Sequence, residues 1–375
     1  MKIAFFEPPY SVKADSLWRI RVSVRYPPFL DAIEGLGELF LVLPNKMPLN
    51  DPFYKEFVDT YGLKVLVQPD CDPSDPYSVA DSILHATRGN DIDFFSTLSG
   101  RGLSICYGIL LASRILGNKY IWHVHGDDLS TKASVWITKG KVFPLMKEYW
   151  EISGIERNLA QGSHKIIVMS EKETKRIMSL GAPSQKIILS SIGINTNLFS
   201  YRKTSIKPER PIRVLFVGRN SPEKNIELLD SVAETCLGMG LKLKFYIAGP
   251  SFQKRKVRNR VYLGFVQPFD LPALYSSCHI FLITSKTEAA PIAIKEAMAS
   301  GLPCIVPKHI FRDDFVQDGV VLFSENTISS IVKCILRLVS DIHFANVVGK
   351  KAYSYAQKYL DKRLFQSAYE EAFLV

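Results

Sequence analysis

Short runs of apolar residues alternate along the chain with longer amphipathic stretches, and the two periods predict strands and helices in turn. In the first half, strands are predicted at Lys2–Phe6, Leu39–Leu43, Lys64–Val67, Phe94–Thr97, Tyr120–Val124 and Lys165–Val168, with helical patterns at Ser104–Leu116 and roughly 140–160. The second half repeats the scheme. Its strands fall at Arg213–Phe216, Lys242–Ile247, Val261–Leu263, Ile280–Ile283 and Cys304–Val306, and its helices near Asn225–Thr235, Leu271–Ser276, Ile292–Ser300 and Ile328–Ser340. Near-continuous apolar strands separated by helices are what a parallel sheet covered on both faces requires. The fold class that follows is α/β, with two doubly wound parallel-sheet domains. Ser200–Pro211 carries Lys203, Lys207, Pro208, Glu209, Arg210 and Pro211 with few apolar residues, and reads as a linker between them. A ligand in such folds sits at the carboxyl ends of the strands, so a cleft between two such edges is the expected site. A last helical pattern, about Ala345–Phe373, lies beyond the final predicted strand and can pack on either domain.

A length of 375 residues agrees with two domains, and 47% apolar with 22% charged residues excludes a largely disordered chain. Lys+Arg 47 against Asp+Glu 37 leaves a net charge of +10, which favours anionic partners. A nucleotide phosphate and an anionic membrane surface both qualify. Nucleic acid does not, because no module interleaves basic and aromatic residues. Cys71, Cys106, Cys236, Cys278, Cys304 and Cys334 are far apart with no Cys-x-x-Cys pair, which argues against structural zinc and a disulfide framework. Met1–Pro9 reads as a strand running into a turn, too short for a leader's apolar core, and Leu103–Leu116 is too short to span a bilayer. The expectation is a cytoplasmic chain, with attachment to the membrane face left open.

Competing chemistries lack their signatures. There is no G-x-x-x-x-G-K-[ST], no G-x-G-x-x-G after a strand and no G-x-S-x-G elbow. Asp91-x-Asp93 opens a strand, where a solvated turn explains it better than a metal.

The informative stretch is Thr284–Pro303. A buried strand ends, a polar turn follows, Pro291 takes a first-turn helical position, and Gly301 with Pro303 stops the helix. The free N–H groups at that helix start suit a diphosphate. Glu288 precedes the helix and Glu296 lies a turn and a half inside it, two acceptors suited to sugar and ribose hydroxyls. Taken alone, the stretch equally describes a helix capped by Thr287 with a surface Glu. Upstream, Arg219 stands at a strand end and Lys224 at the next helix start, where two cations can neutralise a leaving diphosphate without a metal.

Gly218-Arg219-x4-Lys224, Gly249-Pro250, Val261–Val266 and Glu288-x7-Glu296-Ala-Met-Ala-x-Gly-x-Pro resemble the retaining GT-B glycosyltransferases of family 4. The likeness reaches back through Val168–Glu171 and Lys186–Asn195, and thus covers roughly Ser163–Val306 in the family's order. It implies a GT-B fold of two Rossmann-like domains, 1–203 for the acceptor and 204–355 for the nucleotide sugar, with a C-terminal helix over 356–375. It implies no cofactor and no metal, only a nucleotide-diphosphate sugar as donor. Arg219 and Lys224 would bind its diphosphate, Glu296 the ribose hydroxyls and Glu288 the sugar. Backbone amides of Ala289, Ala290, Ile292 and Ala293 would contact sugar and phosphate, and Gly264–Val266 would lie against the base. His125 would reach the sugar from the first domain. The reaction implied is transfer with retention to a hydroxyl acceptor, a lipid-linked or surface-glycan precursor. Here the departing diphosphate takes the acceptor's proton, and neither Glu acts as a nucleophile.

The chain departs from the family pattern in two places. Glu7-Pro8-Pro9-Tyr10 replaces a Gly-rich first loop, and Ala289-Ala290 replaces a Gly-Phe pair, which alters the loop where positive φ is favoured. These changes motivate two alternatives: a non-catalytic GT-B subunit of a glycan-assembly complex, or a GT-B epimerase or phosphorylase. Lys254, Arg255, Lys256, Arg258 and Arg260 read first as a solvated loop and second as a contact for anionic lipid. Aromatic and basic residues mix again around Trp18–Tyr26 and Trp136–Trp150, as they do at a lipid interface or on a packed face.

Overall fold

The computed structural model describes residues 1–6, 30, 33, 35–44, 52–97, 102–124, 153–190, 193–201, 211–250, 252–288, 291–311 and 319–373. The chain forms two compact units, Met1–Ile192 with Phe365–Val375, and Gly193–Leu364. The sequence reading divides the chain eleven residues later, at a position outside the described residues.

In the first unit, strands β1 (Lys2–Phe6), β2 (Glu38–Pro44), β3 (Lys64–Gln68), β4 (Phe94–Thr97), β5 (Lys119–His123), β6 (Lys165–Val168) and β7 (Ile187–Leu189) form one parallel sheet in the order β3-β2-β1-β4-β5-β6-β7. Side chains alternate across it, as a strand buried on both faces demands. Ile3 and Phe5 enter the core on one face, with Tyr54 and Phe57 of α1 (Pro52–Thr60). Ala4 and Phe6 enter the other, with helices α2 (Pro76–Ala86), α3 (Leu103–Leu116), α4 (153–162) and α5 (Glu171–Ser179). Asp93 has a structural task that settles the Asp-x-Asp pair as a turn: its carboxylate accepts from the Lys2 amide at 2.7 Å and fixes the start of β1.

The second unit holds β8 (Ile212–Val217), β9 (Leu243–Ala248), β10 (Arg255–Val257), β11 (Arg260–Gly264), β12 (Ile280–Leu282), β13 (Cys304–Pro307) and β14 (Leu322–Ser324). Their order is β10-β11-β9-β8-β12-β13-β14, parallel except for β10. Helices α6 (Ile226–Gly238), α7 (Leu271–Ser277), α8 (Ile292–Ala299), α9 (Lys308–Phe311), α10 (Ile328–Ser340) and α11 (Ile342–Tyr359) accompany them. The chain winds from β8 to β9 and β11, then returns to place β12 on the other side of β8. That reversal is a topological switch point, and its carboxyl edge is where ligands bind in open α/β sheets.

Two expectations are corrected. The basic run Lys254–Arg260 is not a loop: β10 pairs antiparallel with β11, and Arg258 (φ +52) makes the turn. Arg258 and Arg260 both reach Glu234 of α6, and Arg260 also lies 3.2 Å from Asp230, so two of the five cations in this basic run are neutralised within the fold. The terminal helix is likewise two. It breaks at Leu360–Lys362, where Asp361 leaves helical geometry to accept from Thr196 and from Arg363 at 2.6 Å, and α12 (Arg363–Phe373) begins anew.

Helix α12 closes the core of the first unit. Phe373 packs edge-on against Phe5 and Phe94, with ring centroids 6.3 and 5.5 Å away, and Tyr369 stacks on His123. Burial drives the His123 imidazole down to about 3, so it is neutral at physiological pH. Phe373→Ala should cost this unit about 3–5 kcal/mol through lost transfer energy and the cavity left behind. All four tryptophans (18, 122, 136 and 150) lie in the first unit's segment, so the midpoint of the fluorescence-detected urea transition reads the loss directly.

Candidate active site at the switch point of the second sheet

The paired strands β8 and β12 end side by side, with Phe281 opposite Leu215. Each runs into a polar loop, and the two loops are stitched together. The Lys286 amide donates to the Glu223 carbonyl at 2.7 Å, and the Thr284 hydroxyl to the Lys224 carbonyl at 2.9 Å. Asn326 adds its side-chain amide to the Thr284 and Ser285 carbonyls at 3.2 and 3.3 Å. Pro222–Lys224 forms a single 3₁₀ turn, and Asn225 takes a left-handed conformation (φ +53) before α6 begins. Lys224 therefore stands two residues ahead of the helix rather than at its start.

This frame brings Lys224 and Glu288 together. The ammonium pairs directly with Glu288 Oε1, and the Ser285 hydroxyl donates to the same oxygen at 2.7 Å. Both side chains are largely shielded, 15% and 10% exposed, so their charges act through a medium less screened than bulk water. Arg219, in the loop just after Gly218, pairs instead with Glu223 at 2.7 Å and is 37% exposed. The strand ends on the other side of β8 are drawn close by glycine. Gly249 (φ +151) donates its amide to the Gly264 carbonyl at 2.8 Å, and a side-chain carbon on Gly249 would overlap the Gly218 carbonyl. Gly264 itself has φ +71, and Val266 packs on the core beneath.

Helix α8 starts at Ile292, with Pro291 as its cap residue rather than in its first turn, and Pro291 makes no side-chain cap bond. Ile292 and Ala293 are half-buried there. Glu296 lies one turn further along α8. It is 7% exposed and accepts from the Tyr275 hydroxyl of α7 at 2.8 Å, while that hydroxyl also lies 3.1 Å from the Ala293 carbonyl. Burial pushes the Glu296 carboxyl up to about 7 against the opposing Tyr275 hydrogen bond. A protonated Glu296 can donate to Tyr275, which then donates to Ala293, and every buried polar atom of the trio is satisfied. Its neighbour Lys295 is buried as well, and desolvation lowers its ammonium to about 7. Sequence reasoning missed Tyr275; the signal available was a tyrosine on an apolar helix, whose hydroxyl needs a partner once buried. His125, Ala289 and Ala290 lie outside the described residues, as do Glu7–Tyr10 and the aromatic stretches around Trp18 and Trp136–Trp150.

A profile of the family "Glycosyl transferases group 1" matches residues 199–355, the span that contains these strands and loops. The chain carries a group 1 glycosyl transferase domain. Among curated relatives of the whole chain, the sulfoquinovosyl transferase SQD2 of Arabidopsis thaliana is 25% identical over 273 residues, 68% of this chain and 51% of that protein. The colanic acid biosynthesis glycosyltransferase WcaL of Salmonella typhimurium, itself described as putative, is 24% identical over 170 residues, 41% of this chain and 42% of that protein. The chain thus matches about half the length of these relatives. Two solved structures superpose over the entire chain: Anabaena Alr3699/HepE in complex with UDP and glucose (TM-score 0.73, 16% identity, 99% of that chain) and sucrose-phosphate synthase from Thermosynechococcus elongatus (TM-score 0.74, 14% identity, 98% of that chain). The architecture is the GT-B fold. Within the group 1 domain, the matched region contains Arg219, Lys224, Gly264, Val266, Glu288, Ile292, Ala293 and Glu296. Among the described residues, no three His, Cys, Asp or Glu side chains converge as a metal site would require, and no helix is long and apolar enough to cross a membrane.

Proposed function

We propose that this protein is a retaining glycosyltransferase that moves a sugar from a nucleotide-diphosphate sugar to a hydroxyl on a lipid-linked or surface-glycan precursor. The observation that carries the reading is the meeting of Lys224 and Glu288 at the switch point, with Arg219 beside them. In the apo site Lys224 and Glu288 neutralise each other. When the donor enters, Lys224 and Arg219 turn to its diphosphate and hold the charge that grows as the glycosidic bond breaks. Glu288, steadied by Ser285, accepts from the donor sugar's hydroxyls and faces the positive charge developing at the anomeric carbon. The amides of Ala289, Ala290, Ile292 and Ala293 contribute donors to sugar and phosphate, Gly264 and Val266 lie along the base, and His125 serves the sugar. Glu296, as the carboxylate, accepts from the ribose hydroxyls. The leaving diphosphate takes the acceptor's proton, so retention needs no covalent intermediate on the protein. Two side-chain cations supply the charge that a metal supplies elsewhere, and the step is metal-independent.

Thermal unfolding in the presence of UDP, GDP, ADP and their sugar conjugates, with and without EDTA, tests this. At 100 times Kd one nucleotide should add about 2.7 kcal/mol, a shift of a few degrees, and EDTA should leave it unchanged. Stabilisation that vanishes with EDTA would sink the metal-free step, and a lack of response to every nucleotide would sink the donor assignment.

A further inference from the structure

The edge of the second sheet opposite β10 offers a second site. Among the described residues β14 pairs only with β13, and between the strand, α10 and α11 lies a cavity of about 480 Å³. That volume lies within the range of small-molecule sites. Its apolar lining comes from Val321, Leu322 and Phe323 on one side and Phe344, Val347 and Val348 on the other. Three cations also line it: Lys333 and Arg337, one turn apart on α10, and Lys351 of α11. No carboxylate among the described residues pairs with any of the three, in contrast to the basic run of β10–β11, where Glu234 and Asp230 neutralise two of the arginines.

Like charges four residues apart on one helix repel, so Lys333 and Arg337 raise the energy of α10 unless an anion sits between them. Arg337 is already positioned, its guanidinium 4.0 Å from the Phe344 ring centroid, which leaves a planar fork of donors suited to phosphate oxygens. A bare anion would gain nothing from the apolar lining, and a neutral apolar molecule nothing from the cations. We propose that this groove binds an amphiphile with a phosphate-type head and an apolar body, the head held by Lys333, Arg337 and Lys351 and the body laid along β14. The site is distinct from the switch point: β13 and β12 stand between β14 and β8, and no residue is shared.

The test is calorimetric titration of the full chain with dihexanoyl phosphatidic acid below its micellar concentration, for the wild type and for R337Q/K351Q. The double variant should bind at least tenfold more weakly, with its far-UV circular dichroism and its nucleotide response unchanged. Undiminished binding by the variant overturns the proposal. So does inorganic phosphate binding as tightly as the amphiphile, or a hexaglutamate peptide displacing it at equal concentration. The half-buried Cys334, whose thiol donates to the Phe323 carbonyl at 3.6 Å, gives a readout in the unmodified chain. Its alkylation, followed by peptide mass spectrometry, should slow several-fold under the amphiphile, and an unchanged rate also overturns the proposal. Phosphatidylcholine vesicles with and without phosphatidylglycerol distinguish the two sources. Sedimentation with the charged vesicles that is lost in R337Q/K351Q assigns the head to a membrane lipid. Amphiphile binding without such sedimentation assigns it to a free molecule.

Discussion

Lys224→Ala and Glu288→Gln should each lower kcat/KM for sugar transfer by about 10²-fold or more, because each removes a charge aimed at the reacting centre. The same substitutions also perturb the fold. Lys224 and Glu288 are paired at low exposure, so removal of one partner leaves the other short of compensation, and breaking a buried pair costs up to about 3–5 kcal/mol. The two effects separate in the double variant. Loss of both charges restores electrostatic balance, so Lys224→Ala/Glu288→Gln should melt at a higher temperature than Lys224→Ala alone. Its activity should not recover. Release of nucleoside diphosphate from the donor, followed beside the melting temperature, decides the matter. If activity tracked stability across the three variants, the pair would be a structural tie and the catalytic assignment would fall.

Glu296→Gln should remove a pH dependence from the second unit's stability. The folded carboxyl titrates at about 7 and the unfolded one near 4.5, so the native state holds the extra proton between those values. Stability from this group is therefore greatest below pH 4.5 and falls as pH rises to 7. At about 1.4 kcal/mol for each pH unit, the fall is on the order of 3 kcal/mol. Lys295 acts in the opposite sense over the next window. Its folded value of about 7 lies below the usual 10.5, so its contribution is lost as pH falls from 10.5 to 7 and regained as pH rises. Together the two groups give a minimum near neutrality. Glu296→Gln should flatten the acid side alone, as measured by calorimetric melting of the second unit, and an unchanged acid limb would show that Glu296 is not the titrating group. The proposed ribose contact adds a functional counterpart. Only the carboxylate accepts two hydroxyls, so the donor's KM should fall as pH rises through 7.

The interior strands of both sheets were legible because burial on both faces leaves an uninterrupted apolar run, as in Ile3–Phe6 or Cys304–Val306. The strands that sequence reading passed over, Ile187–Leu189, Arg255–Val257 and Leu322–Ser324, are the last in their sheets. Ile187–Leu189 and Leu322–Ser324 are apolar but only three residues long, too short for a period to stand out, whereas the edge strand β10 faces water and carries cations, a common guard against edge-to-edge pairing. The break at Leu360–Lys362 was hidden for a different reason. No Pro or Gly marks it, and it depends on Thr196, which lies far away in sequence. At the site, Lys224 and Glu288 were visible as charges beside helix starts that follow strands. The partner of Glu296 was not, because Tyr275 reaches it from a separate helix and only packing makes them neighbours.

The docking of α12 sets an order on the protein's birth. The sheet of the first unit is complete by Leu189, yet the rings that seal one of its faces, Tyr369 and Phe373, are the last part of the described chain to be synthesised. Throughout translation of the second unit, the face bearing Phe5 and Phe94 stays without that cover, while the group 1 domain has all of its own residues once Leu364 has been made. The half of the protein made second can therefore finish folding first, and the half made first spends that interval with an apolar surface for chaperones to guard.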